Sequence, residues 1–529
     1  MKTWIKMILP ALLAASCVGK GLDVPEAETD AEGMRIHHDM IVLGERLEDP
    51  YSVENMTKAL AAVYPTKADR VVLPATHLYV RFLPESDAQF RRLEQLGLNL
   101  LDHPMDYAIL REGDYYHDPT LDEDRITWQY AVVEKDFTFP DGIRHELLDQ
   151  CYIPGEQPAS KSDGVDWAAV EREAFRLTGN AALLLPEDGG TKAAEGMSGT
   201  PKGRITIVDS TRGGAPEGVR GVRVSCNCFV KVASAYTDGN GCYEMDKSFT
   251  TNPRYRLVFK NTAGFSLGFN LLLVPASVST LGKHGVDGLD YEVTESSDRM
   301  LFLRCAVNNA GYDYYAWCKE ESPQVKTPPS NLRIWLFSGL RASCAVMMHQ
   351  GVLVEGGKLT ELLGEYASLI KIFLPDLTLG FKDKGSYAEV YATTVHELAH
   401  ASHFMLAGKE YWDRYARFIL TSYVTSGFVT YGVGTEEDHG HCEVGEMWAF
   451  FLQASLYRER YGHSGPNFGL NYWFHPQIFL QLEERGLPAR KIFQVLDGAV
   501  TDRSLLQKKL TSYYPEFKSE INHAFARYN

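Results

Sequence analysis

The chain is short of positive charge. Its 529 residues include 53 Lys and Arg against 69 Asp and Glu, a net charge of −16. That is the wrong sign for a groove that follows a phosphate backbone or a basic patch that docks on anionic lipid, so nucleic acid is excluded as an expected partner. Cysteine is sparse too, nine in all, which argues against a disulfide-stapled scaffold. Cys226, Cys228 and Cys242 lie close together but lack a matching C-x-x-C pair, so packing or one local disulfide is expected there rather than a metal site. The apolar run at residues 7–15 is too short for a stable membrane span.

That short run does have a use. A basic start, Met-Lys-Thr-Trp-Ile-Lys, precedes it and Ser16 and Cys17 follow, the layout of a secretory signal over residues 1–16. Leu-Ala-Ala-Ser-Cys resembles the lipobox of bacterial lipoproteins, which implies lipidation of Cys17 and attachment to a membrane through an N-terminal lipid anchor. An ordinary signal peptide cut near Ala15 is the alternative. Either reading implies export, and the first implies the bacterial cell envelope, at the outer membrane or cell surface. Residues 17–37 are acidic and polar, as a tether would be.

The rest reads as a multidomain α+β protein. Residues 38–185 mix helical periodicity, at 52–64, 86–96 and 166–177, with a strand at 76–82, and form a small N-terminal α/β domain. Its aromatics Tyr115, Tyr116, Trp128 and Tyr130 suit core packing or a ligand platform, and an inhibitory role for this domain stays open. Residues 186–202 have the Gly-rich composition of a linker. Residues 203–275 carry Gly-Arg-Ile-Thr-Ile-Val, Gly-Val-Arg-Val and Thr-Asp-Gly-Asn-Gly-Cys-Tyr. They resemble the carboxypeptidase regulatory-like β-sandwich, which implies an accessory module without chemistry of its own. Residues 285–529 form the last domain, with a helix at 297–318, a buried strand at 332–337 and short helices after residue 473. A strand over 369–381 is expected at a sheet edge because it contains Pro375, where a substrate backbone can add.

The chemistry lies in that domain. Residues 386–408 hold His396-Glu397-Leu398-Ala399-His400, an H-E-x-x-H motif. Ser386 and Glu389 form a capping box at the helix start and Gly408 ends it. Histidines one turn apart share a helix face and can bind one metal ion, with Glu397 placed to take a proton from water. Catalytic zinc usually has a third protein ligand. The metzincin pattern requires a histidine where this chain has Leu406. His403 follows His400 by one turn, but three ligands on one straight helix do not converge, so packing against the site is expected of it. Glu443 and Glu446, one turn apart downstream, are the remaining candidates.

Here the chain resembles the gluzincins, H-E-x-x-H zinc peptidases whose third ligand is a glutamate on a later helix. Their E-x-[FW]-A pattern is met by Glu446-Met-Trp-Ala. The resemblance implies a zincin-like, mostly helical catalytic domain with a small sheet, and Zn2+ held by His396, His400 and Glu446. Glu397 is then the general base for hydrolysis of a peptide or protein substrate, with Glu443 as a supporting partner or the alternative ligand. His439, His441 and Tyr431 are candidates to steady the transition state, with His475 further off. The competing function is a surface binding lipoprotein that keeps the fold without turnover.

Overall fold

In the computed structural model, residues 40–528 are described apart from 66–71, 123–124, 155–163, 185–197, 269–277, 323, 355–373, 426–430 and 467. The signal and tether segments, Cys17, most of the 186–202 linker and the first part of the 369–381 strand lie outside the described residues. The molecule mixes helices with several small sheets. Among the described residues no helix is long and apolar enough to cross a membrane.

The N-terminal region is built on an antiparallel sheet, β4-β2-β5, formed by β2 (His77–Leu83), β4 (Gln129–Glu134) and β5 (Arg144–Cys151). A two-stranded ribbon, β1 (Val42–Arg46) with β3 (Tyr107–Arg111), lies apart from it. Strand β2 alternates as a two-sided strand must. Val80 and Phe82 pack with Leu93, Ala131 and Ile143, while Tyr79 joins Trp128, Tyr130 and Phe175 on the other face. Serine or aspartate caps start the helices α1 (Val53–Val63), α2 (Asp87–Gln95) and α3 (Trp167–Leu177). Tyr115, Trp128 and Tyr130 are buried, and Trp128 has Arg81 over its ring at 4.1 Å. Packing is thus the part these aromatics play.

Two sheets follow, β10-β6-β14 with β7 beside β6, and β13-β11-β8-β9. Their strands are β6 (Lys202–Val208), β7 (Pro216–Gly218), β8 (Arg223–Cys228), β9 (Lys231–Tyr236), β10 (Cys242–Glu244), β11 (Arg254–Val258), β13 (Val278–Lys283) and β14 (Tyr291–Val293). Ile205, Ile207, Val224, Tyr243, Tyr255 and Leu257 bring both inner faces into one core. The Asp238 turn is tied by its carboxylate, which accepts from the Asn240 and Cys242 amides. Gly241, at φ +82°, sits where a side chain would strike the Ile205 carbonyl. The two sheets extend past residue 275, through Val293. In the other direction, β12 (Phe265–Gly268) leaves them and pairs in parallel with β15 (Leu332–Phe337). Strand β12 therefore joins the stretch that holds these two sheets to the sheet that follows. All eight cysteines from Cys151 to Cys442 are free thiols. The local disulfide does not form, and Cys228 instead accepts a hydrogen bond from Thr251.

The last sheet runs β12-β15-β17-β16, with β16 (Cys344–Ala345) antiparallel and the other three parallel. Strand β17 (Leu377–Gly380) is interior, which corrects the expected edge strand. Pro375 precedes it and donates nothing to the ladder, and the two-residue β16 takes the outer position. Helix α4 (Arg299–Glu320) packs beside the motif helix α5 (Tyr387–Ala407), where the Tyr314 hydroxyl donates to Ser402 Oγ at 2.9 Å. Then come α6 (Lys409–Thr425), α7 (His439–Tyr461), α8 (Gln477–Glu484), α9 (Ala489–Phe493), α10 (Arg503–Tyr513) and α11 (Lys518–Ala526).

Buried ions join the regions. Arg304 on α4, 1% exposed, pairs with Asp114 at 2.6 Å and donates to Ser279 and Val278. Arg460 at the end of α7 meets Asp313, Asp209 and Glu217 and lies over the Tyr387 and Tyr391 rings. Breaking one partner of such a pair leaves a charge without its counter-ion. Asp114→Ala is expected to destabilise the fold by about 3–5 kcal/mol, read as a lower denaturant midpoint for the first unfolding transition.

Candidate metal centre

The capping box is present as the sequence demands. Ser386 Oγ accepts from the Glu389 amide and the Glu389 carboxylate accepts from the Ser386 amide. Glycine 408 ends α5, its N–H donating to the Phe404 carbonyl, and the chain turns at once into α6. The motif helix is buried on nearly every side from Tyr387 to Phe404, and only past that point does Met405 reach 45% exposure. A helix covered all round belongs to the middle of a domain. Here α4, α6 and α7 supply the cover.

Helix α7 crosses α5 closely enough for Trp448 Nε1 to donate to the Ala399 carbonyl at 3.2 Å. That crossing sets Glu446 against both motif histidines. His396 Nε2 lies 3.4 Å from Glu446 Oε2, and His400 Nε2 lies 3.4 Å from Glu446 Oε1. One donor atom from each of the three residues falls within 4.8 Å of the others. Tetrahedral ligands at zinc distances of about 2.0–2.1 Å stand about 3.3–3.4 Å apart, so both contacts have metal-ligand spacing. They are also long for hydrogen bonds. Just before Glu446, a side chain at Gly445 would meet the Tyr415 ring at 3.1 Å, so that ring would have to give by a few tenths of an ångström.

The donor set fits a metal on a second ground. Glu446 is fully buried, and its Oε2 has no hydrogen-bond partner; neither does Glu397 Oε2 nor His400 Nδ1. Unsatisfied buried polar atoms are rare and costly, and a cation between two imidazoles and a carboxylate explains the Glu446 oxygen. The two histidines also hold the Glu446 carboxyl well below the usual range, in the ionised form a metal ligand needs. For Glu397 burial acts the other way and pushes its carboxyl up to about 7, against the pull of His396.

No protein-family model, curated protein or solved structure matches this chain.

Glu443 is not in the cluster. It faces Arg503, accepting from that residue's backbone amide at 3.2 Å and pairing with its Nε at 3.3 Å. His403 is fully buried, and its Nε2 meets the Leu496 carbonyl at 3.0 Å while its ring lies against Trp412. It braces α5 and is not a ligand. His439 and His441 stand in the first turn of α7. His439 Nδ1 bonds the Glu436 carbonyl at 2.6 Å, and His441 packs on Tyr411. Tyr431 is buried in the ring cluster of Phe450, Tyr472 and Phe474. His475 stacks on Tyr528.

Two neighbours of the cluster were missed by sequence reasoning. The Tyr415 hydroxyl donates to Glu446 Oε1 at 2.6 Å and lies 3.4 Å from His400 Nε2. Gln453 Oε1 accepts from His396 Nδ1 at 3.2 Å, which turns Nε2 toward Glu446. Both had a signal. Tyr411, Trp412, Tyr415 and Ile419 recur at helical spacing just past Gly408, and Gln453 is a lone polar residue in an apolar run two turns beyond Glu446. Such partners fix ligand orientation, and losing one typically costs about 10–100-fold in metal affinity. Tyr415→Phe is expected to weaken metal binding by that factor, measured by competition with a chromogenic chelator.

Proposed function

We propose that the protein is an exported zinc peptidase of gluzincin type, in which His396, His400 and Glu446 hold the metal and Glu397 is the general base. The observation that carries this reading is the donor count. Structural zinc is closed by four protein ligands, whereas catalytic zinc has three and leaves one position open. Among the described residues only three donors cluster. His403, the neighbour that could have closed the set, is engaged by the Leu496 carbonyl instead. Zinc bound there would activate a water near neutral pH and polarise a scissile carbonyl.

The chain's own residues do the rest. Glu397, with a buried unpaired Oε2 beside His396, accepts the proton of the attacking water and returns it to the leaving amine. Gln453 and Tyr415 hold His396 and Glu446 in orientation. Lipid attachment at Cys17, the expectation from the sequence, fits the same reading and would hold the activity at the cell envelope. The alternative, a binding lipoprotein without turnover, draws support from the burial of all four groups. Mixed-peptide hydrolysis followed by mass spectrometry separates the two: cleavage by wild type, absent in Glu397→Gln, supports the enzyme. Bound zinc with no cleavage by either protein supports the binder.

A further inference from the structure

Strand alternation gives the β13-β11-β8-β9 sheet two different faces. Val224, Cys226, Tyr255 and Leu257 enter the sandwich core, so Arg223, Ser225, Arg256 and Val258 emerge on the opposite side. Register places them together, Arg256 across from Ser225 and Val258 across from Arg223. That side is not left to solvent. The N-terminal region covers it, and a cavity of about 250 Å³ lies between them, lined by the four residues above and by Phe90 and Leu100.

Among the described residues neither Arg223 nor Arg256 forms an ion pair, although Asp102 and Glu94 on the wall attract them from a distance. Arg256 is 5% exposed, and its Nε is buried and unpaired; Arg223 Nε is likewise buried and unpaired. Among the described residues their hydrogen bonds go to neutral amides, Arg256 to Asn227 at 3.1 Å and Arg223 to Asn99 at 3.3 Å. The acids on the wall are already engaged. Asp102 meets His103 and the Tyr116 amide, Asp114 meets Arg304, and Glu94 meets Lys260. A buried guanidinium without a counter-ion is costly, and burial pulls Arg256 down to about 9. Two such groups on one wall of a cavity suit an anion.

We propose that this cavity binds a small oxyanion-bearing ligand, a carboxylate or a phosphate, through Arg223 and Arg256. Guanidinium forks match the paired oxygens of either group. The cavity, at about 250 Å³, is just below the about 300–1,000 Å³ of drug-sized sites, which limits the ligand to a small molecule. Phe90, Leu100 and Val258 suit an apolar portion beside the anion. Because the site lies between the N-terminal region and the sandwich, occupancy also ties those two parts together.

The test is calorimetric titration of the whole chain with sodium phosphate and, separately, sodium hexanoate, at constant ionic strength in chloride, with thermal unfolding in parallel. Saturable binding and a raised Tm with at least one anion are expected. Hexanoate alone binding assigns an organic acid, and phosphate alone binding assigns the inorganic ion. Arg256→Leu and Arg223→Leu are each expected to weaken binding at least tenfold. Without anion, Arg256→Leu should melt at or above the wild-type temperature, since the buried charge it removes forms no ion pair and its hydrogen bond goes to the neutral Asn227 amide. Glu446→Ala is expected to bind the anion as wild type does, which separates this site from the metal centre. No saturable binding by wild type, full affinity in both arginine variants, or loss of binding in Glu446→Ala would each overturn the proposal, and the wild-type titration needs no variant to fold.

Discussion

Glu446→Ala is expected to yield a folded protein that no longer retains stoichiometric metal. The side chain bridges the two histidines, with 3.4 Å to each, so its loss removes one of three donors and the anionic one. The affinity loss should exceed the about 10–100-fold typical of a supporting residue. Glu443→Ala is the matched control. It stands one turn away on the same helix, yet its carboxylate is spent on Arg503, so that variant should keep its metal and lose only some stability. Elemental analysis after gel filtration reads both. Metal lost from Glu443→Ala and kept by Glu446→Ala would reverse the assignment.

Glu397→Gln separates binding from chemistry. The amide keeps the shape of the side chain but cannot accept a proton, so metal content should match wild type while kcat/KM falls by about 10²–10⁴, the usual contribution of a general base. That corresponds to about 3–5 kcal/mol of transition-state stabilisation. A pH dependence follows from the same group. The base works only when ionised, so activity is present above its pKa and lost as pH falls through it. Burial pushes that carboxyl up to about 7, and a bound cation pulls it back down. The acid limb of kcat/KM should therefore lie below pH 7 and disappear in Glu397→Gln.

How far the site could be read in advance depended on whether its parts were local. His396, Glu397 and His400 belong to one helix with a capping box, and helical spacing alone puts them together. Glu446 was reachable because its flanking residues follow a pattern. What separates it from Glu443 is the crossing of two helices, where Trp448 meets the Ala399 carbonyl, and one turn of rotation decides which carboxylate faces the histidines. Tyr415 sat on a helix whose aromatic periodicity was in plain view but not connected to the site. The misread strand at Leu377–Gly380 shows the opposite difficulty. Its proline suggested an edge, whereas position in a sheet is set by which strands pair. Cys344–Ala345, too short to announce itself, took the outer place.

The most direct test of the account is metal content and peptide hydrolysis measured together on one preparation of wild type, Glu397→Gln and Glu446→Ala. The account predicts one zinc per chain in the first two, none in the third, and cleavage by wild type alone. Cleavage by Glu446→Ala at the wild-type rate, or zinc-loaded wild type that cleaves no peptide in a mixed pool, would contradict it.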